Sequence, residues 1–279
     1  MLEVTQLPAL RRHIGEWKQT GQRIAFVPTM GNLHAGHLSL VEQARKTGDR
    51  VVASIFVNPL QFGPGEDLER YPRTLEQDRQ ALQAAGCDLL YLPSDEDLYP
   101  RGTEAITRVR VPGLTEQLEG ESRPGHFDGV ATVVLKLFQR VQPDHAVFGK
   151  KDYQQWRMIE KMTADLDLPI EIRAGETVRE ADGLAMSSRN QYLDAEQRAI
   201  APLLYRQLQA LAEALRSADA DARQWIREGV SELETAGFRV DYLALRERRE
   251  LREPRAGEPR VLLAAARLGP TRLIDNIEI

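Results

Sequence analysis

A mainly parallel α/β sheet covered by helices on both faces, followed by a smaller α+β unit, is the architecture this sequence predicts, and three observations predict it. Up to about residue 175, short apolar runs with strand character alternate with amphipathic helical stretches, the pattern of a sheet wound on both sides. Three of those runs end in a polar or glycine-containing turn that opens toward a helix, so reactive side chains collect beyond the strands' C-terminal ends, where such sheets bind ligands. Beyond Asp194 the alternation stops, with two amphipathic helical stretches followed by three strand-like runs. The expected division is residues 1–176 for a Rossmann-like domain and 177–279 for a C-terminal α+β domain.

The 279 residues suffice for one large or two ordinary domains, and 42% hydrophobic with 28% charged residues is the balance of a soluble globular protein. No basic segment followed by an apolar one opens the chain, and no apolar run approaches membrane length, so nothing indicates export or insertion. The single cysteine, Cys87, excludes an internal disulfide framework; standing just before a strand-like run, it reads as a small core residue rather than a nucleophile. A formal charge of −5 argues against nonspecific nucleic-acid binding. Any polyphosphate must then be held by a local cluster of cations.

In chain order, Arg23–Val27 reads as a buried strand and Leu38–Lys46 as a helix with Leu38, Leu40, Val41 and Ala44 inward. Between them lies Pro28-Thr29-Met30-Gly31-Asn32-Leu33-His34-Ala35-Gly36-His37. A loop at a strand end and a helix start offers backbone N–H groups and a helix dipole to an anion, and Gly31 and Gly36 allow phosphate to approach the backbone. His34 and His37, three residues apart, can both donate to one phosphate. Either histidine alone reads as a cap or packing residue; their combined spacing favours phosphate. The second strand, Val51–Val57, runs into Asn58-Pro59-Leu60-Gln61-Phe62-Gly63, where the Gln61 amide among apolar neighbours suits a small polar molecule, or else is a solvated turn residue. Gly63–Asp67 reads as a mobile loop. Leu75–Ala85 is the next helix; its Asp78 faces the same mouth or is a surface carboxylate. Asp88–Leu92 is a strand, and Ile106–Val111 an added edge strand.

The polar run 119–130 breaks the alternation before the helix Gly129–Arg140. Two readings compete for Arg123: a bidentate fork to a substrate carboxylate, supported by His126, or a surface arginine in a capped loop. After the strand Ala146–Phe148 comes Gly149-Lys150-Lys151-Asp152-Tyr153-Gln154-Gln155, a third junction of strand end and helix start. Lys151 can reach a phosphate there, Asp152 can cap the helix Tyr153–Leu166, and Gln155 lies one turn along. The strand Ile170–Arg173 leads to a hinge between Glu176 and Asp194. The helices Ala195–Leu215 and Ala222–Thr235 and the strands Arg239–Leu245, Pro259–Arg267 and Thr271–Ile277 then form a unit with no evident catalytic constellation, which suggests a lid.

The first loop fits the His-x-Gly-His signature and resembles the nucleotidyltransferase superfamily, and it lacks the spacing of a P-loop or a dinucleotide fingerprint. Five motifs narrow the resemblance: Pro28-Thr29-Met30-Gly31 with both histidines, Phe56-Val57-Asn58-Pro59 with Gln61-Phe62, Arg123-Pro124-Gly125-His126-Phe127, Gly149 with Lys151 to Gln155, and Met186-Ser187-Ser188-Arg189-Asn190. In this order they resemble the pantoate–β-alanine ligases, over about residues 20 to 195. One departure is Lys150, where the family is expected to carry an acidic residue.

The resemblance implies a cytoplasmic homodimer of coenzyme A biosynthesis that consumes ATP with Mg²⁺. Pantoate would attack the α-phosphorus of ATP, and β-alanine would then displace AMP from the adenylate. On this reading ATP lies against Met30, Gly31, Asn32, Leu33, His34, Ala35, Gly36 and His37, and against Gly149, Lys150, Lys151 and Asp152. Val178 borders the adenine, and Met186, Ser187, Ser188 and Arg189 receive the leaving pyrophosphate. His34, His37 and Lys151 carry the catalysis, Gln61 and Gln155 orient pantoate, Gln61 also meets β-alanine, and Asp78 lies near the Mg²⁺ of the ATP phosphates. Because the pantoate carboxylate must stay free to attack, Arg123 serves the entry path or loop order. The alternatives are another adenylyltransferase of the same signature and a nucleotide-binding module without catalysis; no nucleic acid or membrane partner is expected.

Overall fold

The central strands of the first sheet are short apolar runs of Val, Ile, Ala, Phe and Leu, and in the computed structural model, which describes residues 1–216 and 221–279, they are buried on both faces. That is why they read as continuous apolar segments rather than alternating ones. The order is β1 (Leu2–Val4), α1 (Leu7–Gln19), β2 (Ile24–Thr29), α2 (Ala35–Thr47), β3 (Arg50–Ile55), α3 (Leu75–Ala84), β4 (Leu89–Tyr91), α4 (Asp95–Leu98), α5 (Glu119–Ser122), α6 (His126–Val141), β5 (His145–Gly149), α7 (Tyr153–Asp165) and β6 (Glu171–Gly175). The chain continues through α8 (Ala195–Ile200), α9 (Leu203–Ala214), α10 (Ala222–Thr235), β7 (Phe238–Glu247), β8 (Arg260–Leu268) and β9 (Thr271–Glu278).

The chain divides into two compact units, the first of Met1–Lys150 and Gln155–Glu176, the second of Lys151–Gln154 and Thr177–Ile279. In the first, six parallel strands are ordered β1-β4-β3-β2-β5-β6. The winding reverses between β2 and β5, so the crevice beyond their C-terminal ends lies where the loops after these two strands emerge. One face of the core joins Ala25, Val27, Val51, Ala53, Leu90 and Val147 from the sheet to Val41, Ala44 and Leu82 from helices. Cys87 is buried in this cluster, and burial pushes its thiol up to about 12, which leaves it an inert packing group.

In the second unit three antiparallel strands are ordered β7-β8-β9, with an irregularity at Val240/Tyr242. Leu243, Leu245, Leu262, Ala264, Ala266 and Leu273 pack there against Leu204, Leu208, Leu211 and Leu233 of α9 and α10. No helix of the described residues is long and apolar enough to cross a membrane.

Three expectations need correction. Ile106–Val111 is not a strand: the Val109 amide donates to the Thr132 hydroxyl of α6 at 2.9 Å, and the sheet edge is taken by β1. The β1 strand was not expected, since three residues carry too little alternation to register. The helix over 195–215 is two helices, because Pro202 supplies no N–H to continue the ladder and α9 starts after it.

Candidate active site

The loop after β2 owes its shape to two left-handed residues, Gly31 with φ +81° and Asn32 with φ +50°. A Cβ at position 31 would meet Ile55 Cγ2 at 3.0 Å and Asp78 Oδ2 at 3.1 Å, so glycine is required for both conformation and space. The turn directs two backbone amides at Asp78: Asn32 donates to Oδ2 at 2.9 Å and Leu33 to Oδ1 at 2.8 Å. The Thr74 hydroxyl donates to Oδ1 as well, at 3.2 Å. Asp78 is therefore not the surface carboxylate the sequence suggested. It is 2% exposed, sits in the first turn of α3 and braces the loop through both oxygens.

His34 is the N-cap of α2, and its Nδ1 accepts from the Gly36 amide at 3.1 Å. His37 Nδ1 accepts from the His34 amide at 3.3 Å. The rings lie 4.1 Å apart, tilted by 44°. A ring nitrogen that accepts an N–H is unprotonated, so each neutral ring carries its proton on Nε2, as a donor. Both histidines thus accept a backbone amide at the start of α2, and capping leaves the Nε2–H of each as a donor. Met30, Leu33, Gly36 and His37 are partly accessible, Ala35 is exposed and Gly31 is buried.

Gln61 ends a single 3₁₀ turn, Pro59–Gln61, against which α6 packs so closely that a Cβ on Gly129 would come within 2.2 Å of the Leu60 carbonyl oxygen. Asn58, 1% exposed, organises the turn: its Nδ2 donates to Gln61 Oε1 at 3.0 Å and to the Gly129 carbonyl at 3.2 Å, and its Oδ1 accepts from the Tyr99 hydroxyl at 2.7 Å. Gln61 is 8% exposed and donates from Nε2 to Met30 Sδ at 3.0 Å. A thioether is a weak acceptor, so this amide is oriented without being strongly engaged.

Arg123 fits neither of its two first readings, and loop order describes it better. Its Nε donates to Glu66 Oε1 at 2.7 Å and its Nη2 to Glu66 Oε2 at 2.6 Å, a fork that ties down the 63–67 loop. Burial opposes ionisation of Glu66, yet the Arg123 fork, with the Gly63 amide and the neighbouring His126, holds the carboxyl below its ordinary value. His126 Nδ1 donates to the Gln61 carbonyl at 2.7 Å and Nε2 lies 3.1 Å from Arg123 Nη1, an arrangement that suits one neutral tautomer. Burial first, and the Arg123 charge second, push this imidazole down to about 4.

β5 ends at Gly149, followed by the 3₁₀ turn Lys150–Asp152 and α7. Lys150, where an acidic residue was expected, pairs with Glu176 at 2.6 Å. Gln155 stands half-buried in the first turn of α7, in the same unit as Gln61. Lys151 and Asp152 belong to the second unit, with 3.8 Å between Lys151 Nζ and Asp152 Oδ2. Also in the second unit, Val178 and Met186 are the ends of a small hairpin, with the Met186 amide donating to the Val178 carbonyl at 3.0 Å. Ser187 caps the 3₁₀ turn Ser188–Tyr192 by accepting from the Arg189 amide at 3.3 Å.

The loop 30–37, Asp78, Gln61, Arg123 and His126 are thus linked by direct contacts within the first unit, and Lys151, Asp152, Val178 and Met186 to Arg189 fall in the second. The sequence reading assigned no role to Glu66, Tyr99 or the Asn58 side chain. Asn58, polar at the end of an apolar strand and just before proline, was the one with a local signal.

The model of the family described as pantoate-beta-alanine ligase matches residues 3–278 of this chain. Among curated relatives, the pantothenate synthetase of Thioalkalivibrio sulfidiphilus is 56% identical over 97% of this chain and 95% of its own. That of Pseudomonas fluorescens is 55% identical over 100% and 98%. The crystal structure of pantothenate synthetase from Thermus thermophilus superimposes with a TM-score of 0.91 at 49% identity, covering 100% of this chain and 99% of that one. A pantoate-beta-alanine ligase from Francisella tularensis, solved with beta-gamma ATP and beta-alanine, gives 0.83 at 35% identity over 100% and 97%.

Proposed function

The chain belongs to the pantoate–β-alanine ligase family, and from that membership we propose how its residues divide the work. The enzyme condenses (R)-pantoate with β-alanine at the expense of ATP. A pantoate carboxylate oxygen attacks the α-phosphorus as pyrophosphate leaves, and the β-alanine amine then attacks the acyl carbon as AMP leaves. Neither step needs a protein nucleophile; both need charge neutralised and groups aligned.

One observation carries the assignment. With both Nδ1 atoms occupied by loop amides, His34 and His37 present Nε2–H groups from adjacent rings at the start of α2. They are neutral donors already fixed in place, and a helix N-terminus adds favourable potential for phosphate oxygens. They would stabilise the α- and β-phosphates, with His37 available as an acid. The backbone of Met30 to His37 and of Gly149 to Asp152 would cradle the nucleotide, and Lys151, Ser187, Ser188 and Arg189 would hold the charge of the leaving pyrophosphate. Val178 and Met186 would border the adenine. Gln61, oriented by Asn58 and only weakly engaged by Met30, would bond a pantoate hydroxyl and later meet β-alanine. Gln155 would take the second hydroxyl. The Arg123–Glu66 pair would keep the 63–67 loop over the substrate and leave the carboxylate nucleophile unneutralised.

Mg²⁺ does not fit a resident site. No group of three or more His, Cys, Asp or Glu side chains among the described residues could hold a metal ion. Both Asp78 oxygens are committed to the loop. A magnesium ion is expected only as the partner of the nucleotide's own phosphates. A homodimer in the cytoplasm is the expected working form.

Pyrophosphate and AMP release from ATP, measured with pantoate and with or without β-alanine, tests the proposal. Pyrophosphate release should require pantoate, and AMP and pantothenate should appear only when β-alanine is added. Pyrophosphate without AMP would mean an adenylyltransferase that stops at the adenylate; ATP binding with no release would mean a nucleotide-binding module.

A further inference from the structure

In the second unit one edge strand grips two segments to which nucleotide contacts have just been assigned. On β9, Asp275 and Asn276 are adjacent, so their side chains leave opposite faces of the sheet. Both are nearly buried, at 4% and 7% exposure. Asn276 Nδ2 donates to the main-chain carbonyl of Lys151 at 3.0 Å. Two residues along the same face, Glu278 Oε1 accepts from the Tyr153 hydroxyl at 2.9 Å. The short segment 151–153 is thus held at both ends by one face of β9, 125 residues away in sequence.

On the other face, Asp275 forks Arg179, with Arg179 Nη1 to Oδ2 at 2.6 Å and Nη2 to Oδ1 at 2.9 Å. The same guanidinium lies 3.3 Å from the Tyr205 ring centroid and donates to the Gly183 carbonyl at 3.1 Å. It therefore closes the hairpin whose ends are Val178 and Met186. A planar cation held by a carboxylate fork, a ring face and a carbonyl has few other arrangements open to it.

We infer that Asn276 and Asp275 are positioning residues for the ligase reaction: Asn276 sets the main chain from which the Lys151 ammonium extends, and Asp275, through Arg179, sets the hairpin that ends in Met186-Ser187-Ser188-Arg189. The inference rests on the phosphate role given to Lys151. A lysine side chain is flexible, and the ion pair of its Nζ with Asp152 is a long one, at 3.8 Å. Its reach toward a phosphate is therefore set chiefly by where its backbone is fixed. Misplacement of a charge-stabilising group by about 1 Å costs on the order of 10²-fold in rate.

The test is a double-mutant cycle on pantoate-dependent pyrophosphate release. Asn276→Ala should lower kcat by about 10- to 100-fold and leave the KM for β-alanine in the second half-reaction unchanged. Lys151→Ala should lose at least as much, and the double variant should be no worse than Lys151→Ala, because the asparagine acts through the lysine. Tyr153→Phe, which removes only the hydroxyl to Glu278, should give a smaller loss of the same non-additive kind and serves if Asn276→Ala does not fold. Asp275→Asn should raise the KM for ATP and leave that for pantoate unchanged. If Asn276→Ala and Tyr153→Phe keep the parental kcat while Lys151→Ala is crippled, the positioning role is overturned and the lysine role stands. Losses that multiply in the double variant overturn it too. If Lys151→Ala itself is near the parent, the phosphate role of the lysine falls, and the positioning proposal falls with it.

Discussion

Asp78→Asn separates bracing of the loop after β2 from metal binding, because the substitution keeps the shape and changes only the donor and acceptor pattern. The carboxylate receives two amides of the Gly31–Leu33 turn, at 2.9 and 2.8 Å, in a place that is 2% exposed. An asparagine offers one oxygen. One amide bond therefore survives without its charge, and the other becomes an N–H facing an N–H. A hydrogen bond to a charged group contributes about 1.5–3 kcal/mol, and a buried donor left unsatisfied costs about 1–3 kcal/mol, so a loss of about 2–4 kcal/mol in folding stability is expected. The loop that presents His34 and His37 should shift with it, lowering kcat/KM for adenylate formation by about 10- to 100-fold. Urea denaturation gives the first quantity, and pyrophosphate release across a Mg²⁺ titration gives the second. The Mg²⁺ midpoint should not move. A variant of parental stability whose Mg²⁺ requirement rises sharply would show that Asp78 serves the metal and that the brace is incidental.

Other outcomes follow from the same geometry. His34→Ala and His37→Ala should each slow pantoate-dependent pyrophosphate release by on the order of 10²-fold, since each removes one donor aimed at developing charge; near-parental release by both would refute the phosphate role. Gln155→Ala should weaken pantoate use by about 1–3 kcal/mol in kcat/KM, with the KM for ATP unchanged; a loss confined to ATP would put Gln155 on the wrong ligand. His126 is held at about 4, against 6.5 when unfolded, so the unfolded chain binds more protons between those values. Its contribution to stability is complete above pH 6.5 and is lost as the pH falls toward 4. Denaturation midpoints of the parent and His126→Phe should therefore converge on acidification, and parallel curves would refute the neutral-bridge reading. Hydrogen exchange should slow in 63–67 and 186–189 when ATP and pantoate are added; unchanged rates in both would argue that neither segment closes over the adenylate.

Much of the fold was legible because the parallel strands and their covering helices each carry a local period. Ile24–Thr29 and Arg50–Ile55 are apolar on both faces, and α10 begins and ends where its pattern does, at Ala222 and Thr235. What failed was decided by partners outside the window. Ile106–Val111 has strand composition, but its Val109 amide meets Thr132 rather than another strand. The helix over 195–215 is the exception, a local signal overridden by a continuous apolar stripe: one missing N–H at Pro202, inside the window, breaks it. β1 is only three residues long and is a strand because Leu2, Glu3 and Val4 find Leu89, Leu90 and Tyr91 beside them.

The same distinction divides the site. His34 and His37 were legible because helix geometry fixes how residues three apart meet, and their mutual caps are made within four residues. The residues that hold the site in place left no such trace. Asp78 reaches its amides across 45 and 46 positions, Arg123 reaches Glu66 across 57, and Asn276 reaches Lys151 across 125. For such contacts chain spacing carries no information, and a carboxylate on an amphipathic helix reads as solvated unless something shows it to be buried. Burial reverses the reading, because a buried carboxylate must find donors, and the donors nearest Asp78 are the amides that a left-handed Gly31-Asn32 turn leaves pointing inward. The positive φ at Asn32 and the burial of Asp78 are therefore one requirement expressed at two places in the chain. A substitution at Gly31, which would put a Cβ 3.1 Å from Asp78 Oδ2, should disturb the histidine pair without touching either ring.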